Sequence, residues 1–240
     1  MGRAKNKNIA EDTLKTLEQG YYLNSQQEKI NLGEAVKNAV SHTKLYEPQV
    51  LETLIAKPRQ SQNDRNTSFQ VINETTLNAA GKLIVQGFND VLCLNFASAK
   101  NAGGGFLNGS QAQEESIARA SGLYPCLLKC KAYYEANRKN SSCLYTDYMI
   151  YSPHVPVLKD EEGNYLAKPL SVSFITAPAV NANVVRQKEP ANVPKIEAVM
   201  KRRINMVLGI ALENKHENIV LGAWGCGVFG NDPKGYFTIL

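Results

Sequence analysis

The sequence predicts an α/β protein, a three-layer sandwich around a mixed central sheet with an N-terminal helical extension. Short apolar runs alternate with segments of helical periodicity, which is typical of strands that alternate with helices. Two apolar runs, 91–98 and 218–225, continue directly into glycine-rich loops. Ligands of such folds bind beyond the carboxyl ends of the strands. A chain of 240 residues is long enough for one compact domain with an extension.

The charge balance suits an anionic ligand. Apolar residues make up 43% of the chain and charged residues 20%, which is ordinary for a globular protein. The net charge of +5 is spread along the sequence and does not indicate nucleic-acid binding. The two dense basic clusters, "GRAKNK" near the start and "KRR" at 201–203, are interpreted as solvated surface. We therefore expect no direct nucleic-acid partner.

Cysteine use favours a reducing compartment. The five cysteines are an odd number without regular spacing, which argues against a disulfide framework. No apolar run approaches the roughly 20 residues of a membrane helix, and the start of the chain lacks the apolar core of a signal peptide. The three histidines lie far apart, so no structural zinc site is expected. These features predict a cytoplasmic protein without a membrane partner, and we expect a monomer.

Residues 1–66 are predicted to form the helical extension, packed on a catalytic domain at 67–240. Ala10, Leu14, Leu17 and Tyr21 recur at helical spacing. Asn31 is a candidate N-cap of a second helix, with Glu34 three residues later. The polar segment 59–68 is interpreted as the linker between the two parts.

The pattern beyond the linker alternates between strands and helices. Strands are predicted at 68–73, 91–98, 143–153, 171–180 and 218–225. Helices are predicted at 74–87, 111–139 and 193–215. The sequence shows neither an internal repeat nor a low-complexity segment.

The segment "NAGGGFLNGSQAQEES" at 101–116 combines a glycine triplet with a carboxylate pair. The glycines Gly103, Gly104 and Gly105 let successive backbone N–H groups form a concave seat for an anion. Ser110 is a plausible N-cap of the next helix, with Gln113 at its third position, and the positive end of that helix favours a phosphate. The alternative is a flexible connection between strand and helix.

Glu114 and Glu115 are neighbours on the predicted helix and point about 100° apart, so they cannot do the same work. Burial and mutual repulsion raise the pKa of one of two close carboxyl groups, although the helix dipole opposes this rise. A carboxyl held protonated near neutrality can act as a general acid. The alternative is that both only complement the dipole, with Glu115 and Arg119 forming a surface ion pair.

A second glycine-rich loop, "GAWGCGVFGNDP" at 222–233, follows the last predicted strand. Its glycines Gly225, Gly227 and Gly230 match G-x-G-x-x-G, but no further βα unit follows, which excludes a standard dinucleotide-binding fold. A phosphate loop remains, with Phe229 available to pack against a sugar or base. The alternative is a tightly packed turn. Cys226 has no base beside it in sequence and is interpreted as a small packing residue.

Together the two loops describe one ligand. Two phosphate-type loops on one cleft suggest a diphosphate. A carboxylate pair beside them suggests glycosidic cleavage, because carboxylates serve oxocarbenium-like transition states. ADP-ribose in glycosidic linkage has both features.

The segment "LNFASAKNAGGGFLNGSQAQEES" followed by "GLY" resembles the signature of the microbial poly(ADP-ribose) glycohydrolases, three glycines and then Gln-Glu-Glu after a short gap. The blocks "YSPHVPVLKD", "FITAPAVNA" and "GAWGCGVFGNDP" are also similar to that family. The resemblance extends over about residues 10–233 and implies a macrodomain-like fold with added N-terminal helices. The glycine-to-glutamate spacing is specific, whereas each half alone is not.

The resemblance also implies roles for single residues. Glu115 would protonate the leaving ribose oxygen and then activate water, and Glu114 would hold ribose hydroxyls. The remaining substrate-binding candidates are Asn101, Gly103, Gly104, Gly105, Gln113, Gly225, Cys226, Gly227, Val228, Phe229 and Gly230. Asn101 and the triplet would position the distal ribose and the diphosphate, the second loop would bind the diphosphate, and Val228 and Phe229 would fix the distal ribose. Neither a metal nor another cofactor is implied.

The sequence departs from the family pattern in two places. Ala102 stands where the family usually has proline before the glycines, so we expect a looser loop there. The family usually continues into a helix after "NDP", whereas this sequence ends at "KGYFTIL". No adenine-binding residue is therefore assigned.

Three functions fit these observations. The leading hypothesis is hydrolysis of ribose–ribose bonds in poly(ADP-ribose), with release of ADP-ribose. The second is removal of single ADP-ribose groups from protein side chains such as arginine. The third is a reader that binds ADP-ribose without cleaving it. The partner is accordingly ADP-ribose, its polymer or an ADP-ribosylated protein.

Overall fold

The structure is a computed structural model that describes residues 2–57 and 67–233. Its α-helices are α1 (Arg3–Gln19), α2 (Gly33–His42), α3 (Pro48–Ala56), α4 (Thr76–Val85), α5 (Gln113–Ala120), α6 (Leu123–Lys129), α7 (Lys131–Lys139), α8 (Ala182–Lys188) and α9 (Ile196–Glu213). Its strands are β1 (Tyr21–Leu23), β2 (Lys29–Asn31), β3 (Lys44–Tyr46), β4 (Val91–Ala97), β5 (Met149–Lys159), β6 (Tyr165–Pro178) and β7 (Asn218–Val220).

The central sheet has five strands in the order β3-β5-β6-β4-β7. Strand β4 is parallel to both β6 and β7, whereas β5 is antiparallel to β3 and β6. The sheet is therefore mixed, as predicted. The carboxyl ends of β6, β4 and β7 lie at one edge because these three strands are parallel.

Alternate residues of β4 face two apolar cores. Leu92 and Leu94 pack on one side with residues of α3, α8 and α9. Val91 and Cys93 pack on the other side with residues of α2, α4, α5, α6 and α7. This arrangement confirms the three-layer α/β sandwich with a mixed central sheet. No helix within residues 2–57 and 67–233 is long and apolar enough to cross a membrane.

The N-terminal part is less helical than predicted. Helix α1 ends before Gly20, which has a φ of 77°, so Tyr21 belongs to β1 and not to the helix. Asn31 ends β2, and Leu32 precedes α2 without a side-chain cap, so the predicted Asn31 cap is wrong. Strand β3 pairs with β5 and is thus part of the main sheet.

The linker lies mostly outside the described residues. Residues 67 and 68 of the segment at 59–68 are described and carry no regular element. The division at 66/67 therefore stays a prediction.

Several strand and helix predictions differ from the structure. The strand predicted at 143–153 begins only at Met149 and extends to Lys159, and the strand predicted at 171–180 already begins at Tyr165. Residues 68–73 form no strand, because their apolar side chains are exposed and their backbone pairs with no strand among residues 2–57 and 67–233. The predicted helix at 111–139 is three helices, with a break at Ser121, which forms an isolated bridge to Val157. Strand β7 is only three residues long because the chain leaves the sheet before Gly222.

Helix α1 packs directly on the segment of the glycine triplet. Its Ala10 shares a small apolar core with Phe106 and Ala118. The Thr13 hydroxyl donates to the carbonyl oxygen of Arg119 at 2.5 Å. The Arg3 Nε donates to the carbonyl oxygen of Asn108 at 2.9 Å. The N-terminal helix therefore supports the candidate site.

Candidate active site

The two glycine-rich loops follow neighbouring parallel strands at the same edge of the sheet. The triplet follows β4, and the second loop follows β7, which pairs with β4. A Cβ atom added at Gly222 would lie 2.9 Å from Cζ of Phe96 in β4. The second loop therefore begins in contact with β4, the strand that precedes the first loop. This juxtaposition is the one that the sequence predicted for a shared cleft.

The triplet has a defined backbone conformation. Gly103 and Gly104 have φ angles of 68° and 59°, in the left-handed region that favours glycine. The Gly104 N–H donates to the carbonyl oxygen of Asn101 at 3.0 Å, and Phe106 N–H donates to that of Gly103 at 3.2 Å. Ala102 is half-buried and packs on the core beside α5. These turns fix the loop without a proline at 102.

Both carboxyl groups of the Gln-Glu-Glu segment lie against Gly104. A Cβ atom added there would overlap Oε1 of Glu115 and lie 3.2 Å from Oε2 of Glu114. The Gly105 N–H donates to Oε1 of Glu115 at 2.9 Å. The triplet is therefore more than a connection between strand and helix, because the carboxyl groups of Glu114 and Glu115 both pack against its backbone.

Glu115 is the more accessible of the two glutamates. Its side chain is half-buried and faces the triplet. The predicted surface pair with Arg119 is wrong, because Arg119 is buried and donates to the Ser110 carbonyl oxygen at 2.5 Å and the Ser116 hydroxyl at 3.3 Å. Burial lowers the pKa of Arg119, and the charge of Glu115 partly offsets that change.

Glu114 is the group with the perturbed proton affinity. It is only 2% exposed, and burial raises its pKa to about 8, with repulsion from Glu115 adding to the rise. Three donors oppose this rise: the backbone N–H groups of Ser98 and Gly103 and the amide of Asn95. Ser98 N–H lies 2.7 Å from Oε2, and Asn95 Nδ2 lies 3.3 Å from Oε1. Of the two adjacent carboxyls, the buried one therefore carries the raised pKa.

Gln113 ties helix α5 to the sheet. Its Oε1 accepts from Phe96 N–H at 2.8 Å, and its Nε2 donates to the Leu94 carbonyl oxygen at 2.7 Å and the Thr76 hydroxyl at 3.0 Å. The amide therefore bonds to protein rather than facing the cleft. The predicted Ser110 cap is wrong, because α5 begins at Gln113 after Ala112 and has no side-chain cap.

The second loop offers three consecutive N–H groups. Those of Gly227, Val228 and Phe229 make no hydrogen bond to any other described residue. Gly225 and Gly230 have φ angles of 74° and 65°, which turn the chain on either side of them. An open row of backbone donors is a suitable seat for phosphate oxygens. The loop is thus a packed turn at its ends and an exposed donor row at its tip.

Two asparagines hold this loop in place. Asn183 N–H donates to the Phe229 carbonyl oxygen at 2.9 Å, and its side chain donates to that of Val228 at 3.0 Å. Asn231 Nδ2 donates to the carbonyl oxygens of Val180 at 2.7 Å and Gly225 at 2.9 Å. These bonds use carbonyl oxygens of the loop and none of the three N–H groups at its tip.

The side chains of the second loop differ in exposure. Val228 is 89% exposed, whereas Phe229 is half-buried with its ring centroid 6.3 Å from that of Tyr145. Cys226 is half-buried, its N–H bonds to the Ala223 carbonyl oxygen at 3.1 Å, and burial raises the pKa of its thiol. The side chain of Asn101 is exposed beside the first loop.

Arg203 organises the loop that carries Tyr145. This guanidinium is fully buried, and its Nε bonds to Oδ1 of Asp147 at 2.8 Å. Its remaining hydrogen bonds go to the carbonyl oxygens of Leu144 at 2.7 Å, Tyr145 at 3.1 Å, Thr146 at 3.0 Å and Pro178 at 3.0 Å. The prediction that the basic cluster at 201–203 is solvated is therefore wrong for Arg203.

Sequence reasoning missed several residues of the site. Asn95 could have been noticed as a polar residue inside an otherwise apolar strand. Asn183, Asn231 and Arg203 carry no comparable signal, because their roles depend on contacts between distant segments. Within the described parts of the chain, no cluster of three or more His, Cys, Asp or Glu residues could hold a metal ion.

The comparisons with known proteins agree with this geometry. Residues 10–160 match the family model of the microbial-type PARG catalytic domain, which is more than half of the chain. No curated protein matches the sequence.

Solved structures resemble the chain along most of its length. The crystal structure of poly(ADP-ribose) glycohydrolase from Thermomonospora curvata superposes with a TM-score of 0.92 at 40% identity, covering 96% of this chain and 83% of that one. The same enzyme bound to the inhibitor ADP-HPD gives 0.88 at 40% identity with the same coverage. The Deinococcus radiodurans enzyme in complex with ADP-ribose gives 0.79 at 44% identity, covering 83% of this chain and 80% of that one. On these matches, this chain belongs to the microbial-type poly(ADP-ribose) glycohydrolase family, whose members have a macrodomain-like fold.

Proposed function

We propose that this protein hydrolyses the ribose–ribose O-glycosidic bonds of poly(ADP-ribose) and releases ADP-ribose. The observation that carries the proposal is the meeting of two differently buried carboxyl groups at Gly104, next to a second loop whose tip offers open backbone N–H donors. The crystallised relatives that bind ADP-ribose or ADP-HPD support the same substrate.

Glu115 acts as the general acid and then as the base. Its proton passes to the leaving ribose oxygen as the bond between that oxygen and the anomeric carbon breaks, and positive charge develops on the sugar. A water molecule then attacks the anomeric carbon, and its proton passes to the Glu115 carboxylate. Glu115 suits both steps because its side chain is accessible and is held against the triplet by Gly105 N–H.

Glu114 holds the ribose beside the reacting bond. With a pKa of about 8 it is largely protonated at neutral pH, so its carboxyl can donate to one ribose hydroxyl and accept from another. The neutral form also spares the anionic substrate the repulsion of a Glu114 carboxylate in the cleft. Above the pKa that charge returns, so we expect substrate binding to weaken as the pH rises through about 8.

The loops hold the diphosphate and the distal ribose. The N–H groups of Gly225, Gly227, Val228 and Phe229 face the phosphate oxygens, and Gly230 turns the loop back to Asn231. The triplet, Asn101 and the half-buried Cys226 line the same cleft. Gln113 serves as a positioning residue, because its amide bonds to β4 and α4.

The test compares the wild type with Glu115→Ala and with Glu135→Ala. Glu135 is an exposed carboxylate on α7, so its removal is a matched control for charge. Loss of Glu115 should lower kcat on poly(ADP-ribose) by about 10²- to 10⁴-fold, since it removes the acid and base. ADP-ribose binding, measured by calorimetry, should persist. Wild-type turnover by Glu115→Ala would disprove the mechanism.

Assays of two substrates in parallel distinguish hydrolysis of poly(ADP-ribose) from the two alternative functions. Wild-type protein is incubated with poly(ADP-ribose) and with arginine-ADP-ribosylated protein, and released ADP-ribose is quantified by chromatography. Release from the polymer supports the proposal, and release only from modified arginine favours the second function. Binding of ADP-ribose without release from either substrate would identify a reader.

The cellular setting that we propose is a reducing compartment, the cytoplasm, with the protein as a monomer. All five cysteines are free thiols, and three of them are buried. Light scattering of the eluting peak in size-exclusion chromatography tests the monomer, since a dimer would double the mass of 26.4 kDa.

A further inference from the structure

Asn95 is a polar residue in the middle of an apolar sheet face. Val91, Cys93 and Ala97 of the same strand pack on the core formed with α5, α6 and α7. Asn95 has the same parity along β4, is fully buried, and is paired in register with the buried Thr176 of β6. A buried amide lowers stability unless its polar atoms are bonded, so this position needs a reason beyond packing.

The contacts of Asn95 point to Glu114. Its Nδ2 donates to Oε1 of Glu114 at 3.3 Å and to the hydroxyl of Thr176 at 3.1 Å. Its Oδ1 has no partner among the described residues. Ser98 N–H bonds to the other oxygen of Glu114 at 2.7 Å. Both oxygens of this carboxyl therefore have a donor, and Asn95 supplies the one that comes from a side chain.

We infer that Asn95 is a positioning residue for the glycosidic reaction, which aims the Glu114 carboxyl into the cleft and holds the balance between its protonated and ionised forms. This inference rests on the proposed function. Asn95 acts through Glu114 and, being fully buried, does not reach the substrate itself.

Few other groups around Glu114 can control the orientation and the protonation of its carboxyl. Glu115 on α5 repels the ionised form of Glu114. From α7, the buried Tyr133 and Tyr134 interact electrostatically with Glu114, and their hydroxyls have no hydrogen-bond partner in the described chain. The ionised form is favoured by Asn95 and by the N–H groups of Ser98 and Gly103. Of these three donors, only Asn95 can be removed by a side-chain substitution.

The expected effect has a definite sign. Without the Asn95 amide the carboxylate of Glu114 loses a donor, so its pKa rises above about 8. The alkaline decline of kcat/KM then moves to higher pH. Below that decline kcat/KM should fall about tenfold, because the carboxyl is no longer aimed.

The experiment compares wild type, Asn95→Ala and the control Thr176→Val. Thr176→Val removes the other partner of Asn95 but keeps the contact with Glu114. The readouts are the pH profile of kcat/KM on poly(ADP-ribose) and the titration of the Glu114 carboxyl by ¹³C NMR. We expect both to move upward by about half a unit or more in Asn95→Ala, and neither to move in Thr176→Val. An unchanged Glu114 titration in Asn95→Ala would overturn the inference.

Two further measurements keep the test decisive. If Asn95→Ala does not fold, Asn95→Ser replaces it, since its hydroxyl is too short to reach Glu114. In the wild type, a Glu114 titration below pH 6 would also overturn the inference. Wild type that binds ADP-ribose but cleaves no polymer would refute the proposed function instead, while the NMR titration would still decide whether Asn95 controls Glu114.

Discussion

Gly104 is the residue whose backbone conformation most directly determines where the two carboxyl groups can lie. Its φ of 59° disfavours any side chain, and an added methyl group would overlap the carboxyl of Glu115. The two glutamates therefore owe their arrangement as much to the absence of a side chain at 104 as to their own positions on α5. The seven residues between the triplet and Gln113 bring helix α5 back over this glycine.

Gly104→Ala should reduce kcat/KM on poly(ADP-ribose) by about 10²-fold, because Glu115 must move from the reacting bond. The strained backbone should lower the free energy of unfolding by about 1–3 kcal/mol. Gly87→Ala is the matched control, since Gly87 has a φ of 91° but nothing within 4 Å of the added atom. It should lose stability and keep activity. Equal activity of the two variants in a steady-state assay would show that Gly104 matters only for its backbone.

Elements with a strong local pattern, such as β4 and α9, were the most predictable from sequence. Strand β4 is buried on both faces, so apart from Asn95 it appears as an apolar run. Helix α9 was predicted from its periodicity. The apolar residues at 68–73 have a pattern similar to that of a strand, but they pair with no strand in the described part of the chain. Strand formation depends on a neighbour, and that neighbour is not encoded locally.

Contacts between elements were the least predictable part of the site. The sequence indicated that one of two adjacent glutamates has a raised pKa, but only the fold shows that it is the buried Glu114. Arg203 follows two basic residues, the half-buried Lys201 and the exposed Arg202, and has the same local pattern. Its burial follows from the loop after α7, which folds over α9 and supplies carbonyl oxygens.

Arg203→Met tests the junction between α9 and that loop. The change leaves Asp147 and several carbonyl oxygens without the buried guanidinium, so the free energy of unfolding should fall by about 3–5 kcal/mol. ADP-ribose should bind more weakly, because Tyr145, with a φ of 60°, no longer holds its position beside Phe229. Urea unfolding and calorimetry measure the two effects.

Arg202→Met provides the comparison for that experiment. Arg202 pairs with the other oxygen of Asp147, but its side chain is 44% exposed, so its loss should cost less than about 1 kcal/mol. If both variants were destabilised equally, the buried hydrogen bonds of Arg203 would contribute nothing beyond those of a surface pair.

The N-terminal helix α1 contacts both the segment of the candidate site and the central sheet. Helix α1 bonds to Asn108 and Arg119 on one side and, through Asp12 and Thr13, to the buried Lys159 of β5 on the other. It therefore joins the segment of the candidate site to the long β5–β6 hairpin. Although α1 lies within the predicted extension, it supports the candidate site directly.

Thr13→Val tests this link at the level of the whole molecule. The substitution keeps the shape but removes the hydroxyl that bonds to Arg119 and Lys159, so we expect a loss of about 1–3 kcal/mol in stability. Activity should fall as well, because α5 loses a support. Thermal unfolding and kcat are compared with Thr53→Val, an exposed threonine on α3, which should change neither. If the Thr13→Val protein were destabilised but fully active, α1 would contribute to the stability of the fold and not to the candidate site.

The docking of α1 has a consequence for how the chain becomes functional. The bonds from Arg3 to Asn108 and from Lys159 to Asp12 join residues that are 105 and 147 positions apart. Contacts between such distant positions form slowly, since a long loop must close first. During synthesis α1 leaves the ribosome early, but its partners emerge much later. We expect the catalytic cleft to assemble among the last parts of the fold, so that a nascent chain shorter than the β5–β6 hairpin is without activity.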